Sequence, residues 1–241
     1  RSKFMRGSGT LLWLWLAGLA SFVAGVAAPS ATLESSAIRF QLAPETGSYS
    51  ILDKSAGVTW RSNPFHHRFG EVTLKMDGKP QSHPLGACEV KETREAIEAT
   101  FRPHPNQPSA QLRVRVRLLP DQRTLEFAYE ADPKLEVESL RLLDDALWVT
   151  DAGQGYVAVP VRLGMLIPAD SGLSFTQRFD TFAYEGCHMA MLGMVQNGAA
   201  ALVTWHDPYV AADIKSTVTQ APWLNGKQAV ATSLVLRKSA T

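Results

Sequence analysis

The sequence predicts an all-β protein, a large antiparallel β-sandwich. Three observations carry that reading. Short segments that alternate apolar and polar residues recur from Ala31 to Thr241. Clusters of Gly, Pro, Asn and Asp punctuate them. A single stretch has apolar spacing that suits a helix. Alternation with a period of two puts one face of a strand on a core and the other in water. Roughly twelve to sixteen such segments at regular spacing is the pattern of a sandwich or barrel.

In chain order, the first thirty residues stand apart. Arg1 to Arg6 hold three positive charges, and Leu11 to Ala28 hold none. Small residues follow, with Gly25-Val26-Ala27 as a cleavage tripeptide. A basic region, an apolar helix and a small-residue exit make residues 1–30 a secretory signal, with Met5 the natural start. The rival reading is an uncleaved membrane anchor, because the apolar run approaches bilayer-spanning length. The signal is the better fit, since Gly and Ala thin its second half. The expected location is therefore secreted or periplasmic, with membrane contact only through this segment.

Residues 31–241 read as one β domain without repeat, heptad or linker. "AIRFQLA" turns at Pro44–Gly47 into "SYSILDK", and Ser55-Ala56-Gly57 leads to "VTWRS". "EVTLKM" ends at Asp77-Gly78, a strong hairpin signal. "AIEATFRP" and "AQLRVRVRLL" flank a loop, His104 to Ser109, around which Pro103, Pro105 and Pro108 bar regular structure. "RTLEFAYEA" follows, and later "GYVAVPVRLGML", "LSFTQRFDTFAY", "MAMLGMV", "AAALVTW" and "QAVATSLVLR". Only Pro133–Leu147, "PKLEVESLRLLDDAL", could be helical. Its β-branched Val137 already weakens that reading.

A chain of 241 residues with net charge +1, 45% hydrophobic and 20% charged, is ordinary globular material. That balance favours neither disorder nor nucleic-acid binding, since it gives no wider basic field. Arg113, Arg115 and Arg117 do share one strand face. They read as a solvated face paired with Glu126 and Glu130 on the next segment. With only two cysteines, a multi-cysteine zinc site is not available. No phosphate loop or nucleophile elbow is present, so no cofactor is expected. After export, Cys88 and Cys187 could form a disulfide or remain buried thiols, and the sequence leaves both open.

The chemistry-bearing candidates are few. His66-His67 sit in a loop, His188 lies near Glu185, and His206 precedes Asp207. A sugar epimerase needs a base and an acid at the sugar ring, and Glu185, His188 and His206 could supply them if their strands pair. Nothing in their spacing requires it. Acids such as Asp144, Asp145, Asp151, Asp170, Asp180 and Asp207 sit in no glycosidase motif. Tyr184, Trp205, His206 and Asp207 could bind carbohydrate, with Trp205 as a stacking platform. Large aromatics also dominate cores. The Trp205-His206-Asp207 cluster reads better as a rim than as a catalytic centre.

Phe40–Phe65, with Thr46-Gly47, Asp53-Lys54, Gly57 and Trp60, resembles the opening hairpins of the galactose-mutarotase-like supersandwich found at the N-terminus of many glycoside hydrolases. Gly155–Gly172 and His188–Ile214 resemble its later strands. The likeness is to the domain that precedes the barrel in enzymes related to endo-α-N-acetylgalactosaminidases. It implies a non-catalytic β-supersandwich with carbohydrate and a C-terminal catalytic barrel as partners. No βα alternation appears in these residues, so the family's catalytic acids have no matching positions. A free-standing epimerase and a stand-alone carbohydrate-binding module are the alternatives.

Overall fold

The computed structural model describes residues 30–63, 65–160, 164–179, 189–206, 210–220, 225 and 227–238. Residues 1–29, which hold nearly all of the signal or anchor segment, lie outside them. Where the chain alternates it forms strands, eighteen among the described residues, arranged in four antiparallel sheets. Strands β1 (Ala31–Glu34), β2 (Ile38–Leu42), β3 (Tyr49–Asp53) and β4 (Val58–Arg61) form one meander. A six-stranded sheet begins with the hairpin β5 (Gly70–Met76) and β6 (Lys79–Leu85). A second meander follows in β7 (Glu89–Glu92), β8 (Ala96–Phe101), β9 (Leu112–Leu118) and β10 (Leu125–Ala131).

The rest of the chain returns to the six-stranded sheet through β11 (Val137–Thr150). It then makes β12 (Tyr156–Val159), β13 (Met165–Pro168), β14 (Phe175–Phe179), β15 (Met191–Gln196), β16 (Ala199–Thr204), β17 (Val210–Gln220) and β18 (Gln228–Lys238). The six-stranded sheet runs β14-β17-β18-β11-β5-β6, and the fourth sheet runs β13-β12-β15-β16. Among the described residues the one helical element is a 3-10 turn, Asp151–Gly153. None of them forms a helix long and apolar enough to cross a membrane.

The turn chemistry works as the sequence indicates. Asp77-Gly78 joins β5 to β6 with φ of 50° and 76°, and Asn197-Gly198 joins β15 to β16 with 50° and 77°. Two successive left-handed residues give the turn whose twist matches that of the flanking strands. On β9, Leu112, Val114 and Val116 are buried while Arg113, Arg115 and Arg117 face out. Arg117 sits opposite Glu126 and Arg113 opposite Glu130, with ion-pair distances of 2.8 and 3.0 Å. The arginine comb is the solvated, paired face expected of it.

Strands β6 and β7 carry weak sequence patterns, and each lies at a sheet edge. Pro80 and Pro84 sit in β6, where a missing N–H need not face a neighbour.

The helix that apolar spacing allowed over Pro133–Leu147 does not form; Val137–Thr150 is a strand. Against β18, Arg141 to Val149 takes nine residues where Val235 to Val230 takes six, so 9 − 6 = 3 extra residues are bulged out. Each bulge delays the return to a given face by one residue. Inward positions therefore recur about every third residue, which imitates helical spacing.

Two cores result. Phe40, Tyr49, Phe69, Ile97, Phe101 and Val114 lie in the first, drawn from both meanders and β5 with its preceding loop. Its rings pack closely, Phe69 lying 5.2 Å from Tyr49 and 5.5 Å from Phe101. Trp60, Ala146, Val149, Val157, Leu192 and Val230 lie in the second. Strand β11 enters both, with Leu140 in the first and Val149 in the second, and Ile51 touches each.

Strand β5 approaches β11 so closely that a Cβ on Gly70 would stand 2.2 Å from the Arg141 carbonyl oxygen. Gly70→Ala should therefore cost about 1–3 kcal/mol by overpacking. Phe69→Ala should cost about 3–5 kcal/mol. Urea unfolding reads both as a lowered midpoint at constant slope. An unchanged midpoint for Gly70→Ala would mean that β5 and β11 can part freely.

Candidate functional site

The predicted site residues divide between described and undescribed chain. Tyr184, Glu185, Cys187, His188 and Asp207 lie outside the described residues. Trp205 follows the end of β16, half-buried, with its ring against the second core. Its backbone N–H donates to the Ala190 carbonyl at 3.3 Å. His206 is exposed, its Nε2 3.4 Å from Thr204 Oγ1. Packing therefore accounts for the Trp205 side chain, while His206 stands at the sheet's outer end. Among the described residues no three His, Cys, Asp or Glu side chains converge to hold a metal.

Cys88 carries a free, half-buried thiol in the segment between β6 and β7, and its N–H donates to Pro44 at 2.8 Å. Burial, reinforced by the Glu45 charge, pushes its pKa up from 9.0 to about 11. The thiolate is the reactive form. At pH 8 alkylation of Cys88 should thus run about 100-fold slower than that of an ordinary thiol. Iodoacetamide labelling of a Cys187→Ser variant, followed by mass spectrometry, measures this. A rate matching free cysteine would show that the thiol is open to solvent.

A more elaborate constellation lies where β11 bulges. Asp144, 2% exposed, is clamped from two sides. Arg68 Nε donates to its Oδ2, and Arg141 Nη1 reaches its Oδ1 at 3.3 Å. Glu71 closes the ring, 3.3 Å from Arg68 Nη1 and 3.7 Å from Arg141 Nη1. The four side chains are 2–28% exposed, so solvent screens them far less than it does the arginine comb. Tyr49 is pushed well above the ordinary tyrosine range, by burial first and by the Asp144 charge second.

Beside this ring, Asp145 is held in a left-handed conformation, φ 48°, and so is Leu147 at 52°. Asp145 is fastened by Ser233, whose Oγ accepts from its N–H at 2.8 Å and donates to its Oδ1 at 3.0 Å. Trp148 Nε1 donates to the Asp145 carbonyl at 2.8 Å. The indole thereby faces Phe65, 44% exposed, with ring centroids 5.4 Å apart. The loop bearing Phe65 is closed by Asn63, whose Oδ1 accepts the N–H groups of Phe65 and His66 at 2.8 and 3.0 Å. His66 and His67 remain exposed.

Chemically this arrangement is a ring of ion pairs that holds the bend of β11. Both oxygens of Asp144 meet guanidinium groups and the side chain is shut off from a substrate. Asp145 is occupied by Ser233. Asp144, with both oxygens engaged and 2% exposed, is not placed as one of two carboxylates flanking a sugar. Sequence reasoning named both acids without their partners, because Arg68 and Asp144 are 76 positions apart. The visible signal was Asp144-Asp145 interrupting an apolar run.

Asp144→Asn leaves two guanidinium groups facing a neutral amide and should cost about 3 kcal/mol. Glu126→Gln, in a half-exposed pair, should cost under about 1 kcal/mol. Denaturant unfolding of both variants checks the contrast, and equal losses would mean that the ring is as solvated as the comb.

No family model and no curated protein matches the chain. Among solved structures it is similar to alpha-N-acetylgalactosaminidase NagBb from Bifidobacterium bifidum in complex with GalNAc. That match has a TM-score of 0.62 at 11% identity, and covers 86% of this chain and 33% of that one. A quadruple mutant of the same enzyme matches with a TM-score of 0.60 at 12% identity, covering 87% and 36%. Identity this low shows a shared fold. This chain spans about a third of the length of the chains it matches.

Proposed function

We propose that this chain is an exported, non-catalytic β domain of a glycoside hydrolase, built as a supersandwich of the galactose-mutarotase kind. It braces a catalytic barrel carried elsewhere in the polypeptide and lends loops to a sugar cleft. The observation that carries the reading is the asymmetry of the likeness, which takes in 86% of this chain but a third of an α-N-acetylgalactosaminidase chain. The large six-stranded sheet shared between two cores supports the supersandwich. The carboxylates Asp144 and Asp145 are engaged by Arg68, Arg141 and Ser233, which suits a support better than a catalyst. In this reading Trp205 and His206, which follow β16, border the sugar together with Tyr184 and Asp207.

The test uses two assays. The isolated chain, offered an α-N-acetylgalactosaminide with a chromogenic leaving group, should release nothing, and polarimetry of anomer-pure sugars should show no accelerated mutarotation. The longer polypeptide containing it should hydrolyse the glycoside. Mutarotation by the isolated chain that disappears in Glu185→Gln would instead make it an epimerase.

A further inference from the structure

An antiparallel sheet with one face on a core and the other in water alternates apolar and polar residues. The β7–β10 meander obeys this, with its outer face laced by Arg–Glu pairs. The β13-β12-β15-β16 sheet does not. Its inner face, with Val157, Ile167, Leu192 and Met194, fills the second core. Its outward positions are every second residue from Tyr156, Leu166, Met191 and Ala200, and they include no charged side chain.

The register gives this face a shape. Leu166 pairs with Ala158, Ala158 with Gly193, and Gly193 with Leu202. Directly paired residues point to the same side of a sheet. A row therefore crosses all four strands with a leucine at each edge and the smallest residues between. Both leucines are 64% exposed. Strand spacing puts them about 14 Å apart, with a shallow trough floored by Ala158 and Gly193. A Cβ at Gly193 would meet the Ala158 Cβ at 3.3 Å, so a larger residue would crowd that floor. Val195 and Tyr156 extend the apolar surface along the next row.

We propose that this face is the docking surface for a second folded domain of the same polypeptide, one that presents apolar side chains to the trough. The inference rests on the glycoside hydrolase reading above and adds where the support is applied. The occupant follows from area. Four strands by about five residues is roughly 19 by 17 Å, so two mated faces bury on the order of 600 Å². Freely associating proteins need about 1,200–2,000 Å², which argues against a second copy of this chain. Domains joined by a covalent tether hold together through about 600–1,500 Å², since the tether supplies the effective concentration. This chain covers only 33–36% of the solved structures it matches, so room for such a domain exists in its fold relatives.

Hydroxyl-radical footprinting, read by mass spectrometry, tests this on the isolated chain and on the longer polypeptide that contains it. Leu166 and Leu202 should label fast in the isolated chain and several-fold more slowly in the longer one, while Tyr129 on β10 stays unchanged. Leu202→Glu, a substitution at an exposed site, should restore fast labelling of Leu166 in the longer polypeptide. Equal labelling in both forms would overturn the proposal. So would a reading frame that ends at Thr241, or an isolated chain that dimerises and is made monomeric by Leu202→Glu. Protection without glycoside hydrolysis would leave the docking face standing and remove the enzyme reading, and hydrolysis without protection would do the reverse.

Discussion

Strand β11 must serve two cores at once, and much of the structure depends on how it does so. A straight strand keeps one face to one side. This strand sends Leu140 into the first core and Val149 into the second, and changes direction between them by bulging out three residues. The change leaves Asp145 and Leu147 in left-handed conformations, each costing of order 1–3 kcal/mol. The neighbours over-determine the strained segment: Ser233 grips Asp145 from β18, and Arg68 and Arg141 grip Asp144. The buried charge ring and Ser233 thus fasten the bend at two consecutive residues.

The same bend explains why the aromatic pair sits where it does. With Asp145 turned, its carbonyl receives the Trp148 indole N–H, and the ring is presented to Phe65. Arg68, five positions from Asn63, ties the loop that carries Phe65 to the bend. Loop and strand are therefore one mechanical unit. Asp144 is enclosed by its two arginines and Asp145 is fastened by Ser233, so both acids serve the bend.

The outer faces of the molecule are chemically unequal. The β7–β10 meander shows water a mesh of paired charges, and the β13-β12-β15-β16 sheet shows leucine, alanine, glycine and valine. The sequence held a trace of the second in "MLGMV" and "AAALVT", runs with too little alternation for a sheet wetted on one side. That trace identifies no trough, because Leu166 and Leu202 are aligned only when β12 and β15 pair between them.

What the sequence determined by itself was the class of structure and much of its turn chemistry. Period-two alternation fixes strand faces locally, and Asp77-Gly78 and Asn197-Gly198 can adopt their left-handed pair wherever they occur. The arginine comb and its glutamates were legible for the same reason, since register across a hairpin follows from its turn. Tertiary structure alone decided the rest. Edge strands such as β6 carry prolines and little pattern, so a neighbour's hydrogen bonds define them. The bulged β11 imitates a helix until β18 counts its residues. The meeting of Arg68 with Asp144, and of Leu166 with Leu202 across a trough, joins positions far apart in the chain, and only sheet packing brings them together.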